Sequence, residues 1–124
     1  SWMIEAAGKN EPFSVWTGPE TIIPILYYKD AAKAAIDLAA APLDDIKTMN
    51  YLVDGVRPTP TAGELADAVQ SRVPGAQITF DVDPAAAISL ARNLTIDDAV
   101  ARAEWGWEPA FGLDAMIDDF LADL

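Results

Sequence analysis

The sequence predicts an α/β chain, α+β-like as an isolated piece, forming a single domain over residues 1–124 with about five helices and three short strands. Two observations carry this expectation. Apolar residues recur at helical spacing in some stretches, while others form continuous or alternating runs of strand-forming types. A chain of 124 residues, 52% apolar and 23% charged, suits one ordinary domain with its own core and leaves no room for a second.

Residues 2–9 read as the end of a helix that Gly8 stops, with Asn10-Glu11-Pro12 as a turn. Residues 21–28 are a continuous apolar run; Pro24 denies it a central ladder position, so an edge strand or an extended crossing is expected. Asp30 stands where an N-cap belongs, ahead of an alanine-rich helix over 31–41 that Pro42 ends. The smooth face of that helix suits close packing against a sheet. Residues 49–53 read as a short strand, and Arg57-Pro58-Thr59-Pro60 as a rigid loop. Thr61 and Glu64 have the spacing of a capping box. The helix they open carries Leu65, Ala68, Val69 and Val73 on its apolar side and stops at Pro74-Gly75. Residues 77–82 alternate polar and apolar, as a half-buried strand does. Thr95, with Asp98 three residues on, reads as a second cap opening a short helix to Glu104. The last helix is the clearest: Leu113, Met116, Ile117, Phe120, Leu121 and Leu124 keep the 3.6-residue period.

Composition excludes several chemistries. With no cysteine, disulfides, thiolate metal sites and cysteine nucleophiles are gone. With no histidine, the usual metal ligand and the usual general base of hydrolases are gone as well. A net charge of −12 disfavours nucleic acid and anionic membrane as partners. No apolar segment is long enough to span a bilayer, and Ser1-Trp2-Met3 does not open a signal peptide. A cytoplasmic chain, cut from something longer, is expected. The seven glycines are scattered and build neither G-x-G-x-x-G nor a P-loop. The aspartate pairs 44–45, 81/83, 97–98 and 118–119 lack calcium-loop spacing, so no metal site is expected.

Three features remain as candidates. Trp105-Gly106-Trp107-Glu108-Pro109 reads as a structural corner, or as a ligand-stacking surface. Trp16, in a polar loop, is either a binding surface or a ring folded back on the core. Arg92 either pairs with a nearby aspartate or clamps a carboxylate or phosphate with its planar fork.

The order of these pieces resembles the extended short-chain dehydrogenases and sugar-nucleotide epimerases. Asp98-x-x-Ala101-Arg102, then Trp105-Gly106-Trp107-Glu108-Pro109 and a closing amphipathic helix, look like their C-terminal signature. Tyr27-x-x-Asp30-Ala31-Ala32 is similar to their tyrosine-x-x-aspartate element. Within that superfamily the chain resembles most the short-chain type of NAD-dependent L-threonine 3-dehydrogenases. The stretches that carry this are Thr21-x-x-Pro24-x-x-Tyr27-x-x-Asp30-Ala31, Ala41-Pro42, Tyr51-Leu52-Val53, Pro60-Thr61-Ala62-Gly63-Glu64-Leu65-Ala66 and Ile96-Asp97-Asp98.

The resemblance implies the C-terminal, substrate-binding portion of an extended Rossmann-type dehydrogenase. The NAD-binding glycines and the catalytic serine or threonine, tyrosine and lysine would lie on other residues, so the chain itself holds no cofactor and no catalytic residue. Its substrate-side residues would be Thr21, Pro24, Ile25, Leu26 and Arg92. Ile23 stands where nucleotide-sugar enzymes carry a phosphate-binding arginine, which points to a smaller substrate such as a hydroxy-amino acid. Arg92 stands where the threonine enzymes carry a tryptophan, and could instead grip a carboxylate. The expected partners are the missing nucleotide-binding domain, or a second copy, together with a small-molecule substrate. The alternative is a stand-alone ligand-binding or protein-interaction module without catalysis.

Overall fold

Helical periodicity along the chain produces six α-helices: α1 (Trp2–Gly8), α2 (Tyr28–Ala40), α3 (Ala62–Arg72), α4 (Pro84–Leu90), α5 (Ala99–Trp105) and α6 (Leu113–Ala122). Two strands, β1 (Phe13–Val15) and β2 (Ile78–Phe80), and a 3-10 turn at Leu43–Asp45 complete the described elements. The structure is a computed structural model and describes residues 2–90, 92 and 95–124.

β1 and β2 pair in parallel, with Phe13 opposite Ile78 and Val15 opposite Phe80. Amide bonds from Asp81 to the Val15 carbonyl and from Asp83 to the Trp16 carbonyl carry the pairing on. α1 packs against β1, and α1, α3 and α6 pack against one another. Their apolar stripes meet in a core that includes Ile4, Val15, Val56, Leu65, Val69, Met116 and Ile117. A second, smaller cluster gathers Ala34, Ala101 and Trp107, with Leu26, Tyr51, Val53 and Trp105 against them.

The helices follow the sequence closely. Thr61 accepts the Glu64 amide (3.1 Å) while Glu64 accepts the Thr61 amide (2.8 Å), so the capping box forms as expected. The apolar face of α6 is buried at Met116 and Ile117. α4 was not expected from its apolar run. Pro84 opens it, and the Asp83 carboxylate accepts the Ala85 amide at 2.9 Å, the kind of start that suits a proline.

Several expectations need correction. Of the two forms expected for residues 21–28, the extended crossing occurs and the edge strand does not: a single antiparallel bridge joins Ile22 to Thr61, and Tyr28 already belongs to α2. Residues 49–53, expected as a strand, form none and have no ladder partner among the described residues. A strand needs a neighbour to bond with, and these two segments have almost none. Asp30 is not an N-cap. α2 begins two residues earlier, and Asp30 sits wholly buried in its first turn, accepting the amides of Ala110 (2.8 Å) and Phe111 (3.2 Å). α5 starts at Ala99 rather than at a Thr95 cap, and the Asp97 carboxylate accepts its first amide (3.0 Å). Among the described residues no sheet covers the alanine face of α2. Its outward positions Ala31, Ala32, Ala35, Ile36 and Ala39 are exposed, whereas Lys29, Asp30, Lys33 and Asp37 turn sideways or inward.

Candidate functional site

The segment carrying Thr21, Pro24, Ile25 and Leu26 crosses the molecule in extended form, held by its backbone. The Ile23 amide donates to the Pro60 carbonyl (3.0 Å), the Ala62 amide to the Thr21 carbonyl (2.9 Å) and the Val56 amide to the Ile25 carbonyl (2.8 Å). Gly55 makes the last contact possible: a Cβ there would stand 2.3 Å from the Ile25 carbonyl oxygen and 2.8 Å from the Leu26 Cα. Ile25 and Leu26 thus line an apolar cleft of about 350 Å³ with Ile23, Tyr27, Tyr28 and Phe120. Thr21 and Pro24 flank the cleft without lining it. Arg92 lies in an exposed turn beyond α4 and does not line the cleft either. Of the five residues proposed from sequence, the fold brings Ile25 and Leu26 together in one cavity wall.

At the edge of the cleft the Tyr27 hydroxyl donates to Asp119 (2.7 Å), Lys29 bridges Asp119 (2.5 Å) and Asp123 (2.8 Å), and the Tyr28 hydroxyl donates to Asp123 (2.8 Å). This clasp fastens the start of α2 to the end of α6. Burial, and then the bond to Asp119, push the Tyr27 phenol far up, so it stays protonated and cannot serve as a base. Burial and the bond to Glu104 raise Tyr51 in the same direction. The Lys29 hydrogen bond, followed by that of Tyr27, holds the Asp119 carboxyl below the usual carboxylate range.

Trp105-Gly106-Trp107 is the structural corner that the sequence suggests. Gly106 takes φ +72° and ends α5 in left-handed backbone. Trp107 is 1% exposed and donates its indole N–H to the Asp54 carbonyl at 2.9 Å. Trp16 stays largely exposed. A charged cluster escaped the sequence reading: Arg57 faces Asp54 (3.1 Å) and pairs with Asp98, which also accepts from Arg102 at 3.0 Å. The four- and three-residue spacings of Asp98–Arg102 and Asp54–Arg57 hinted at it; the contact between the two pairs joins residues 41 apart. Burial pushes the Asp98 carboxyl up, but the hydrogen bonds from Arg102 and Arg57 outweigh that and hold it low.

A nicotinamide dinucleotide finds no cradle among these residues. The glycines with positive φ, Gly75 and Gly106, follow the ends of α3 and α5 rather than opening a helix after a strand. No described helix is long and apolar enough to cross a membrane.

No family model matches the chain. The bovine (Bos taurus) mitochondrial L-threonine 3-dehydrogenase is 33% identical over 116 residues, which are 93% of this chain and 31% of that protein. An uncharacterized epimerase/dehydratase of Staphylococcus saprophyticus is 30% identical over 112 residues, 89% of this chain and 34% of that protein. Among solved structures, a GalE-like L-threonine dehydrogenase from Cupriavidus necator in its holo form superposes with a TM-score of 0.86 at 34% identity, over 98% of this chain and 40% of that one. The chain is a homologue of the L-threonine 3-dehydrogenases and epimerase/dehydratase proteins. It spans about a third of the length of the curated relatives it matches. The similarity covers nearly all of this chain.

Proposed function

We propose that this chain is the C-terminal, substrate-side portion of an L-threonine 3-dehydrogenase-like oxidoreductase, and that it is inactive alone. The observation that carries this is the coverage: relatives named for threonine dehydrogenation match almost the whole chain, yet the chain spans only a third of their length. The full enzyme would oxidise the hydroxyl of a small hydroxy-amino acid such as L-threonine, with NAD held by the part not represented here. Thr21, Pro24, Ile25, Leu26 and Arg92 would contribute to the substrate side, Ile25 and Leu26 as an apolar wall. That role suits side chains that shape a pocket and exclude water while the reacting groups arrive on other residues. The chain's own Tyr27 and Tyr51 offer no proton acceptor, since both phenols are held protonated.

The surfaces left unsatisfied support a missing neighbour. The outward positions Ala31, Ala32, Ala35, Ile36 and Ala39 of α2 are uncharged on a chain of net charge −12, and Met49 and Leu52 stand exposed on the segment 49–53, which has no ladder partner among the described residues. A nucleotide-binding domain, or a second copy in its absence, would cover them.

The test joins the chain, by fusion, to the nucleotide-binding portion of a homologous threonine dehydrogenase. The fusion is expected to reduce NAD in the presence of L-threonine, while the chain alone shows neither turnover nor NAD binding by calorimetry. Micromolar NAD binding or turnover by the chain alone overturns the proposal.

A further inference from the structure

A methyl group would fill little of the apolar cleft of about 350 Å³. A dry cavity of ~150 Å³ is enough for one benzene ring, so this one has room for a ring and a short chain. Ile25, Leu26 and Met116 form its aliphatic side, and Tyr27, Tyr28 and Phe120 supply aromatic rings. No ionised side chain lines it.

Charge enters where the two tyrosines end. Tyr27 and Lys29 both donate to Oδ2 of Asp119, and Tyr28 and Lys29 both reach Oδ2 of Asp123. Among the described residues no donor meets Oδ1 of either carboxylate. Both side chains are open to solvent, at 31% and 52% exposure, so those oxygens can be reached. One lysine against two aspartates leaves the clasp with a charge of −1, on a chain of −12. Lys29 Nζ also stands 5.7 Å from the centre of the Tyr28 ring, so a cation already rests against this aromatic wall.

We propose that the cleft binds an apolar primary amine without an acid group, an aromatic ring on a short chain. The body lies among Ile25, Leu26, Met116 and Phe120, and the ammonium donates to the free oxygens of Asp119 and Asp123. A ligand carrying a carboxylate would bring like charge to the clasp, and a neutral one would leave its negative charge unanswered. A small cation without a body would gain nothing from the apolar walls. The inference concerns what this chain binds by itself, and it does not rest on the dehydrogenase proposal.

The experiment follows the Met116 methyl signal of the chain, labelled with ¹³C at its methionine methyls, by NMR. Met49, which is exposed and lies outside the cleft, is the internal reference. The probe is 2-phenylethylamine, against 2-phenylethanol, 3-phenylpropionate and methylammonium at matched ionic strength. The amine is expected to shift Met116 along a saturation curve and to leave Met49 unmoved. The alcohol should bind about fivefold more weakly, and the propionate and methylammonium more weakly still. Asp119→Asn and Asp123→Asn should each weaken the amine about threefold without changing the alcohol. Three results overturn the proposal: no saturable shift of Met116 with the amine, an alcohol or propionate that binds as tightly, or unchanged amine affinity in both folded variants. Turnover by the fusion is read separately, so either proposal can fail while the other stands.

Discussion

At the scale of single residues, the most constrained position is Gly55. Alanine there must push the Ile25–Leu26 backbone away from the 54–56 loop, because the new Cβ would meet backbone atoms rather than a flexible side-chain tip. Gly55→Ala is expected to lower stability by about 2–3 kcal/mol, read as a shift of the urea midpoint. Asp30 works by a different means, as a buried acceptor for two amides beyond the Trp-Gly-Trp corner. Asp30→Asn keeps the shape but leaves one oxygen to serve both amides and turns a donor toward them. A loss of about 1–3 kcal/mol should follow in the same assay. The sequence marked Asp30 without revealing its work. An aspartate before alanines allows several local explanations, and only a contact 80 residues away decides between them.

At the scale of elements, α3 is held at its start by the capping box and at its end by Arg72, which pairs with Asp114 (2.9 Å) and Asp118 (2.6 Å) of α6. Thr61→Ala removes the acceptor for the Glu64 amide and should cost about 1 kcal/mol in thermal or urea unfolding. The clasp between α2 and α6 makes stability depend on acid. Asp119 and Asp123 have folded-state values below the ordinary carboxylate value, held there chiefly by Lys29. Their contribution is therefore complete above the unfolded value near ~4 and is lost as pH falls through the lower folded one. The midpoint of the wild-type chain is expected to fall in that acid window more steeply than that of Asp119→Asn, because the variant has already lost the group that titrates. Parallel profiles of midpoint against pH would show that the clasp contributes nothing.

At the scale of the whole molecule, the outward face of α2 sets how the chain behaves in solution. A solvated helix ordinarily shows its charges to water; here Lys33 turns back over the Trp107 ring (5.3 Å) and Asp37 pairs with Lys33 (2.5 Å), leaving alanines and Ile36 outside. The isolated chain is expected to associate in a concentration-dependent way in sedimentation velocity. Ala35→Glu, at an exposed position, should reduce that association while leaving the unfolding midpoint nearly unchanged. A monomer insensitive to dilution would count against it. Five of the six helices, the capping box, the aromatic corner and the absence of histidine and cysteine chemistry were legible in the residues alone, because a helix bonds within four residues and a side-chain inventory needs no fold. Tertiary structure had to decide the rest. Whether 21–28 and 49–53 become strands depends on a neighbouring edge, whether Asp30 caps a helix or ties down a loop depends on what lies across from it, and the pairing of Arg57 with Asp98 joins segments no local pattern connects. Hydrogen bonds and ion pairs formed across the chain depend on closure, and closure is a property of the packed molecule.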